Sequence, residues 1–188
     1  MAAKIICLYG NKGVGKSSVA DRLGEFGWVR MSLAQPIRDM LSCLLPDEYV
    51  GRFADKDRPL SQLGGKSVRY ALMTLGTEWG RNLMDEDIWV QLLLDRIADS
   101  GEEKVVIDDS RMQNEYNILK YYGATFVRIR REPIDSEYIK QRAEDSKKGV
   151  ALHESEAHWP LWTPDFVSVN STPTICAEHI NDFCTPCE

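Results

Sequence analysis

Short apolar runs alternate with amphipathic stretches along this 188-residue chain, and the alternation predicts its elements. Lys4–Tyr9 is continuously apolar after its first residue, the pattern of a central parallel strand with both faces buried. Short runs at 28–32, Lys104–Ile107, 125–129 and Phe166–Val169 predict four more strands. Between them, apolar positions recur at helical spacing. Val19, Ala20, Leu23 and Phe26 mark a helix over 18–26, and Val68, Ala71, Leu72 and Leu75 mark one over 67–75. Val90, Leu93, Leu94 and Ile97 mark a helix over 88–98, capped by Asp87. Pro36 opens a helix over 37–45, and others are predicted at 114–122, 133–144 and 173–183. The stretch 46–65 is polar, is broken by Pro59, Gly64 and Gly65, and reads as a long mobile excursion. Residues 145–149 read as mobile too, and Gly76 and Gly80 bracket a tight turn.

This order of strands and helices implies an α/β protein, a three-layer αβα arrangement around a mostly parallel five-stranded sheet. One domain over 1–188 is expected, with an excursion at about 33–100 and a lid at about 131–162. A ligand site in such a sheet lies at the carboxyl ends of the strands.

The connection from the first strand to the first helix carries the most specific chemistry. Residues 10–17 read G-N-K-G-V-G-K-S and fit G-x-x-x-x-G-K-[ST], the phosphate loop. Glycines let successive N–H groups turn inward as an anion nest, and the helix N-terminus adds a favourable dipole. Gly10, Asn11, Lys12, Gly13, Val14, Gly15, Lys16, Ser17 and Ser18 are therefore the candidate ATP-binding positions. Lys16 suits the β- and γ-phosphates, and Ser17 suits Mg²⁺. The expected fold is of the phosphate-loop NTPase type.

Charge narrows the partners. Lys and Arg total 23 against 29 Asp and Glu, a formal net charge of −6, which argues against a broad nucleic-acid-binding face. No signal peptide or membrane-length apolar run is visible, so a soluble cytoplasmic protein is expected. Five cysteines do not form a complete disulfide framework. Cys176, His179, Cys184 and Cys187 have ligand-like spacing, but two of them fall on one predicted helix, and free thiols are the favoured reading.

Three further groups stand out. Asp108 and Asp109 end the third strand, where an acid can order Mg²⁺ beside the loop serine; alternation lets only one of them face the nucleotide. Arg128, Arg130 and Arg131 leave the fourth strand, and Arg142 follows on the next helix. Guanidinium groups bind a transferring phosphoryl group from several sides, and Arg130 and Arg142 are the favoured catalytic pair, beside Lys16. Finally, L-G-T-E-W-G-R at 75–81 offers Trp79 for base stacking or the core, and Arg81 for a monophosphate.

Four landmarks in order give the chain a family likeness: the phosphate loop, L-A-Q-P-I-R at 33–38, L-G-T-E-W-G-R followed by D-I-W-V at 87–90, and D-S-R-M-Q-N-E at 109–115. H-E-S-E at 153–156 is a weaker fifth. The chain resembles the deoxynucleoside monophosphate kinases of tailed bacteriophages over residues 5 to about 170. It departs at Ser110, Met112 and Gln113, where that family often has an apolar residue and F-P.

The resemblance implies an ATP- and Mg²⁺-dependent phosphotransferase that converts deoxynucleoside monophosphates to diphosphates. It assigns the strand-end acid role, with Ser17 at the metal, to Asp109 rather than Asp108. It makes Arg38, Arg69, Arg81 and Arg111 candidates for the acceptor phosphate, with Arg69 resting on position alone; Lys12 is a further candidate from its place at the apex of the loop, not from the resemblance. Trp79, Glu115, His153 and Glu156 become candidates for the acceptor pocket. It also implies a homodimer. Two other readings are kept: a kinase acting on a hydroxyl of a modified base in DNA or of a small alcohol, and a triphosphate-driven switch.

Overall fold

The computed structural model describes residues 3–51, 54–148 and 159–185. The chain divides into two compact units, one of Met1–Ser32 with Arg96–Glu188, the other of Leu33–Asp95.

The first unit is built on a five-stranded sheet. Its strands are β1 (Lys4–Tyr9), β2 (Val29–Met31), β5 (Lys104–Ile107), β6 (Thr125–Arg130) and β7 (Phe166–Val169). The order across the sheet is β2-β5-β1-β6-β7, and every pairing is parallel. Thus β1 is central, which is why its apolar run is unbroken: five of its six residues are buried. Ile6 and Leu8 of β1, Val106 of β5 and Val127 and Ile129 of β6 turn to one face. There they pack on Val19, Ala20 and Leu23 of α1 (Lys16–Leu23) and on Cys176, Ala177 and Ile180 of α8 (Pro173–Cys184). The alternate residues turn to the other face. Phe126 meets Tyr116 of α6 (Gln113–Tyr121) with ring centroids 4.5 Å apart, and Trp162 stacks on Tyr116 at 5.0 Å. Helices therefore cover both faces, as the α/β reading expected. The helix expected at 133–144 runs as α7, Ile134–Lys147, so 145–147 is helical rather than mobile. Polar pairs along one side, Gln141 to Asp145 and Arg142 to Asp145, support that last turn.

The second unit has its own small core. Leu41, Leu45, Val50, Leu60 and Val68 are buried, with Tyr49, Leu63, Ala71, Leu72 and Leu75 packed against them. They come from α2 (Gln35–Ser42), α3 (Asp47–Val50), the antiparallel ribbon β3 (Pro59–Leu60) and β4 (Lys66–Ser67), α4 (Val68–Met73), and the segments that connect or follow these elements. The stretch 46–65, expected as a mobile excursion, is thus ordered over most of its length. Val50 and Leu60 anchor it in the core, and its glycines close the turn between two strands, where the Gly65 N–H donates to Leu60 O at 2.9 Å. The tight turn expected at Gly76 and Gly80 is instead a π-helical segment, Thr74–Met84. The physical reason is Trp89 on α5 (Ile88–Ser100). Its Nε1–H donates to Gly76 O at 2.7 Å, and its ring lies against Gly80, which only a residue without a side chain permits.

Candidate active site

The 10–17 loop leaves the carboxyl end of β1 and opens α1, as the motif requires. Two glycines explain its shape. Gly10 has φ +136° and Gly15, at the helix N-cap, has φ +95°. A Cβ at Gly10 would lie 2.4 Å from Ile129 O, and one at Gly15 would lie 2.4 Å from Asn170 Nδ2. Val14 is buried, and its carbonyl accepts from Asn170 Nδ2 at 2.6 Å, so the end of β7 braces the loop. Lys12, Gly13 and Ser18 are exposed. Lys16 Nζ donates to Gly10 O at 2.9 Å and Asn11 O at 3.0 Å, folded along the loop it serves.

Ser17 meets the strand-end acid, but the acid is Asp108. Ser17 Oγ donates to Asp108 Oδ2 at 2.6 Å. Asp109 turns away, and its Oδ2 accepts from Ser32 Oγ at 2.5 Å. The resemblance had assigned the role to Asp109; strand alternation explains the difference. Val106 faces α1 within the core, and Asp108, two residues on, keeps that face, while Asp109 takes the opposite one. Arg30 of β2 grips Asp108 with both Nε and Nη2, at 2.9 and 2.7 Å. That fork holds a carboxylate whose side chain is only 2 % exposed. Arg30 was not among the sequence candidates; its signal was a basic residue on a short strand beside the acid-bearing one.

Asp135, also missed, organises the start of α7. It is 5 % exposed, accepts from Asn11 Nδ2 at 2.5 Å and from the Arg131 N–H at 2.8 Å, and faces Arg130 Nε at 3.6 Å. Arg130 also faces Glu132 at 3.6 Å, and Arg142 faces Asp145 at 4.0 Å. Each arginine of the expected catalytic pair thus sits against an acid of its own segment.

A cavity of about 30 Å³ opens beside the loop, at the carboxyl ends of β1 and β5. Lys12, Lys16, Ser110 and Arg111 line it, with the rings of Tyr9, Tyr138 and Trp159. The aromatic wall is continuous: Tyr9 and Trp159 are 6.2 Å apart at 62°, and Arg128 lies 5.7 Å over the Trp159 ring. Burial pushes the Tyr9 hydroxyl up to about 12, against the pull of Arg128, so it stays protonated at neutral pH. Glu115 was expected in the acceptor pocket. It is buried instead at the N-terminus of α6, where its carboxylate accepts from the Arg111 and Met112 N–H groups at 2.7 and 3.0 Å. It shapes the Arg111 backbone.

The remaining candidates belong to Leu33–Asp95. Arg69 pairs with Asp57, and that hydrogen bond raises its pKa; Arg38 Nε donates to Gln35 Oε1 at 3.4 Å. Lys56 was missed. Partial burial, then the charges of Arg38 and Arg69, push its ammonium below the usual lysine range. Trp79 is half-exposed and tilted against Trp89 at 6.2 Å, and Arg81 Nη1 donates to Glu86 O at 3.3 Å. His153 and Glu156 lie outside the described residues, as does Cys187. Of the cysteine and histidine set in the tail, Cys176 is buried against Ser168 at 2.9 Å, while His179 is exposed. Burial raises the Cys184 thiol to about 11. No cluster of three metal-ligating side chains occurs among the described residues, and no helix among them is long and apolar enough to cross a membrane.

A parallel α/β fold with this loop, its lysine and a strand-end acid has the arrangement of a phosphate-binding site. A model of the deoxynucleotide monophosphate kinase family matches residues 53–156, more than half of the chain, which therefore belongs to that family and is a kinase. The matched stretch holds Asp108, Arg111 and Asp135 and leaves out the 10–17 loop, so the loop and the family match are independent of each other. A protein of Acanthamoeba polyphaga mimivirus, provisionally named a deoxynucleotide monophosphate kinase, is 28 % identical over 151 residues, 71 % of this chain and 77 % of its own. A crystal structure of a Chloroflexus aurantiacus J-10-fl protein, provisionally titled a kinase, covers 97 % of this chain and 98 % of its own, at 11 % identity and a TM-score of 0.48.

Proposed function

We propose that this chain transfers the γ-phosphoryl group of ATP to the phosphate of a deoxynucleoside monophosphate. An oxygen of the acceptor phosphate forms the new bond to the γ-phosphorus as the bond to the β–γ bridging oxygen breaks. ADP and a deoxynucleoside diphosphate leave. The acceptor is already a nucleophilic anion, so no side chain need take a proton. Asp108 is engaged by Ser17 and Arg30, which suits a charge-organising role better than that of a base for a hydroxyl acceptor.

The observation that carries this reading is the cavity in which Lys16 of the loop and Arg111 of the β5–α6 connection line the same small space. Lys16 would exchange the carbonyls of Gly10 and Asn11 for phosphate oxygens. Lys12 and Arg111 would meet charge on the acceptor side. The aromatic wall keeps bulk water from the reacting oxygens. Ser17 Oγ and the Asp108 carboxylate are hard oxygen donors 2.6 Å apart and fit Mg²⁺, with Arg30 fixing the carboxylate's orientation. Bound there, Mg²⁺ would neutralise charge on the β- and γ-phosphates.

The test is an ATP-dependent assay across the common deoxy- and ribonucleoside monophosphates, with mass detection of diphosphates. Diphosphate formed from at least one deoxynucleoside monophosphate, and lost in Lys16→Ala, is the expected result. ATP hydrolysis of equal rate with and without every acceptor would overturn it.

A further inference from the structure

The two residues before Ser110 and the residue after it are all held. Asp108 is engaged by Ser17 and Arg30, Asp109 accepts from Ser32, and the Arg111 N–H donates to Glu115. Ser110 is thereby fixed at the wall of the cavity, where it is 5 % exposed. Its Oγ is fully buried and has no hydrogen-bond partner among the described residues. Buried hydroxyls in folded proteins are nearly always satisfied, so an orphan one beside a small polar space points to something that enters that space.

The surroundings give the chemistry of what enters. The cavity of about 30 Å³ has room for one or two atoms of oxygen size, and Lys12, Lys16 and Arg111 set its charge. An anionic oxygen suits those three cations, and a cation does not. Lys16 and its carbonyl partners belong to the loop, on the donor side of the reading above, whereas Ser110 adjoins Arg111, which that reading turns toward the acceptor.

We propose that Ser110 Oγ donates a hydrogen bond to a phosphate oxygen of the acceptor, a phosphate monoester dianion, beside Arg111. Ser110 is then an acceptor-binding residue. This rests on the kinase reading given above.

The experiment is steady-state kinetics of the full chain and its Ser110→Ala and Ser110→Cys variants, varying each substrate in turn. Inorganic phosphate serves as a second probe, by calorimetric titration. Loss of one charge-assisted hydrogen bond is expected to raise KM for the monophosphate about tenfold in Ser110→Ala. KM for ATP stays unchanged, inorganic phosphate binds more weakly by a similar factor, and the thiol, a weaker donor, gives an intermediate KM. Unchanged KM for the monophosphate in Ser110→Ala would mean that water alone satisfies the hydroxyl, and would overturn the proposal. So would equal rises in both KM values, the sign of a distorted loop. Should Ser110→Ala not fold, an unchanged KM in Ser110→Cys overturns it equally. A wild-type chain that phosphorylates no monophosphate sinks the kinase reading instead; equal phosphate binding by wild type and Ser110→Ala would then dispose of the hydroxyl's role separately.

Discussion

Asn11, at the crest of the 10–17 loop, donates through Nδ2 to the buried carboxylate of Asp135 on the first turn of α7, 2.5 Å away. The backbone carbonyl of the same Asn11 accepts from Lys16. One residue therefore links the loop lysine to the start of α7 and, through Asp135, to Arg130.

Cutting that link should cost both stability and donor binding. Asp135→Ala leaves the Asn11 amide and the Arg131 N–H without their acceptor, a loss of roughly 1–3 kcal/mol. KM for ATP is expected to rise several-fold. Asn11→Ala removes the same contact from the other end, so the double variant should cost about 1 kcal/mol less than the two single losses combined. Urea denaturation and KM for ATP on the four proteins measure this. Strict additivity would mean that the contact contributes nothing.

The two adjacent acids should separate cleanly in a magnesium titration. Asp108→Asn keeps the shape but removes the charge that faces Ser17, and the Mg²⁺ concentration for half-maximal rate is expected to rise by about 10- to 100-fold. Asp109→Asn removes a charge that accepts from Ser32 on the other face and should leave that concentration nearly unchanged. The opposite ranking would return the metal role to Asp109.

Lys4–Tyr9 and Lys104–Ile107 are strands over the residues that their apolar runs marked, because strands flanked by neighbours in a covered sheet leave little choice of boundary; Phe166–Val169 also keeps its marked bounds, at the sheet edge, where it pairs with β6. The loop was equally legible, since its chemistry is local. Its partners were not. Ser17 and Asp108 are 91 positions apart, and Asn11 and Asp135 are 124 apart, so no spacing within the chain announces either pair. Alternation along β5 did contain the answer for Asp108, in Val106, once the face covered by α1 is known. The segment 74–84 was misread for a different reason. Its glycines make room for Trp89, a tertiary demand that looks like a turn signal in the sequence.

That demand is itself testable. A Cβ at Gly80 would lie 2.3 Å from Cζ2 of Trp89, inside a buried indole that also bonds Gly76 O. Gly80→Ala must displace the ring, and the expected loss is about 1–3 kcal/mol in urea denaturation. Gly64→Ala is a poor control because its φ of +60° penalises any side chain, whereas Gly24 has open space around it and no positive φ. Gly24→Ala should therefore be close to neutral. Equal losses at positions 80 and 24 would remove the packing explanation for the π-helical segment.

Lys56 predicts a pH dependence with a definite sign. Its ammonium is pushed below the ordinary lysine value of 10.5, by partial burial first and then by Arg38 and Arg69. Below that lowered value, the native and unfolded chains both carry the proton, and the repulsion acts against folding in full. As the pH rises toward 10.5, the native state releases its proton first, and the repulsion is relieved. Lys56→Met should therefore be at least as stable as the wild type at neutral pH, with the difference closing in alkali. A phosphate anion would relieve the same repulsion while the ammonium is charged. Inorganic phosphate is thus expected to raise Tm more for the wild type than for Lys56→Met at pH 7, and equally for both near pH 10.5. Thermal denaturation at the two pH values, with and without phosphate at constant ionic strength, measures both effects; a variant less stable at pH 7, or stabilised as much by phosphate as the wild type, would show that the three cations do not act as a group.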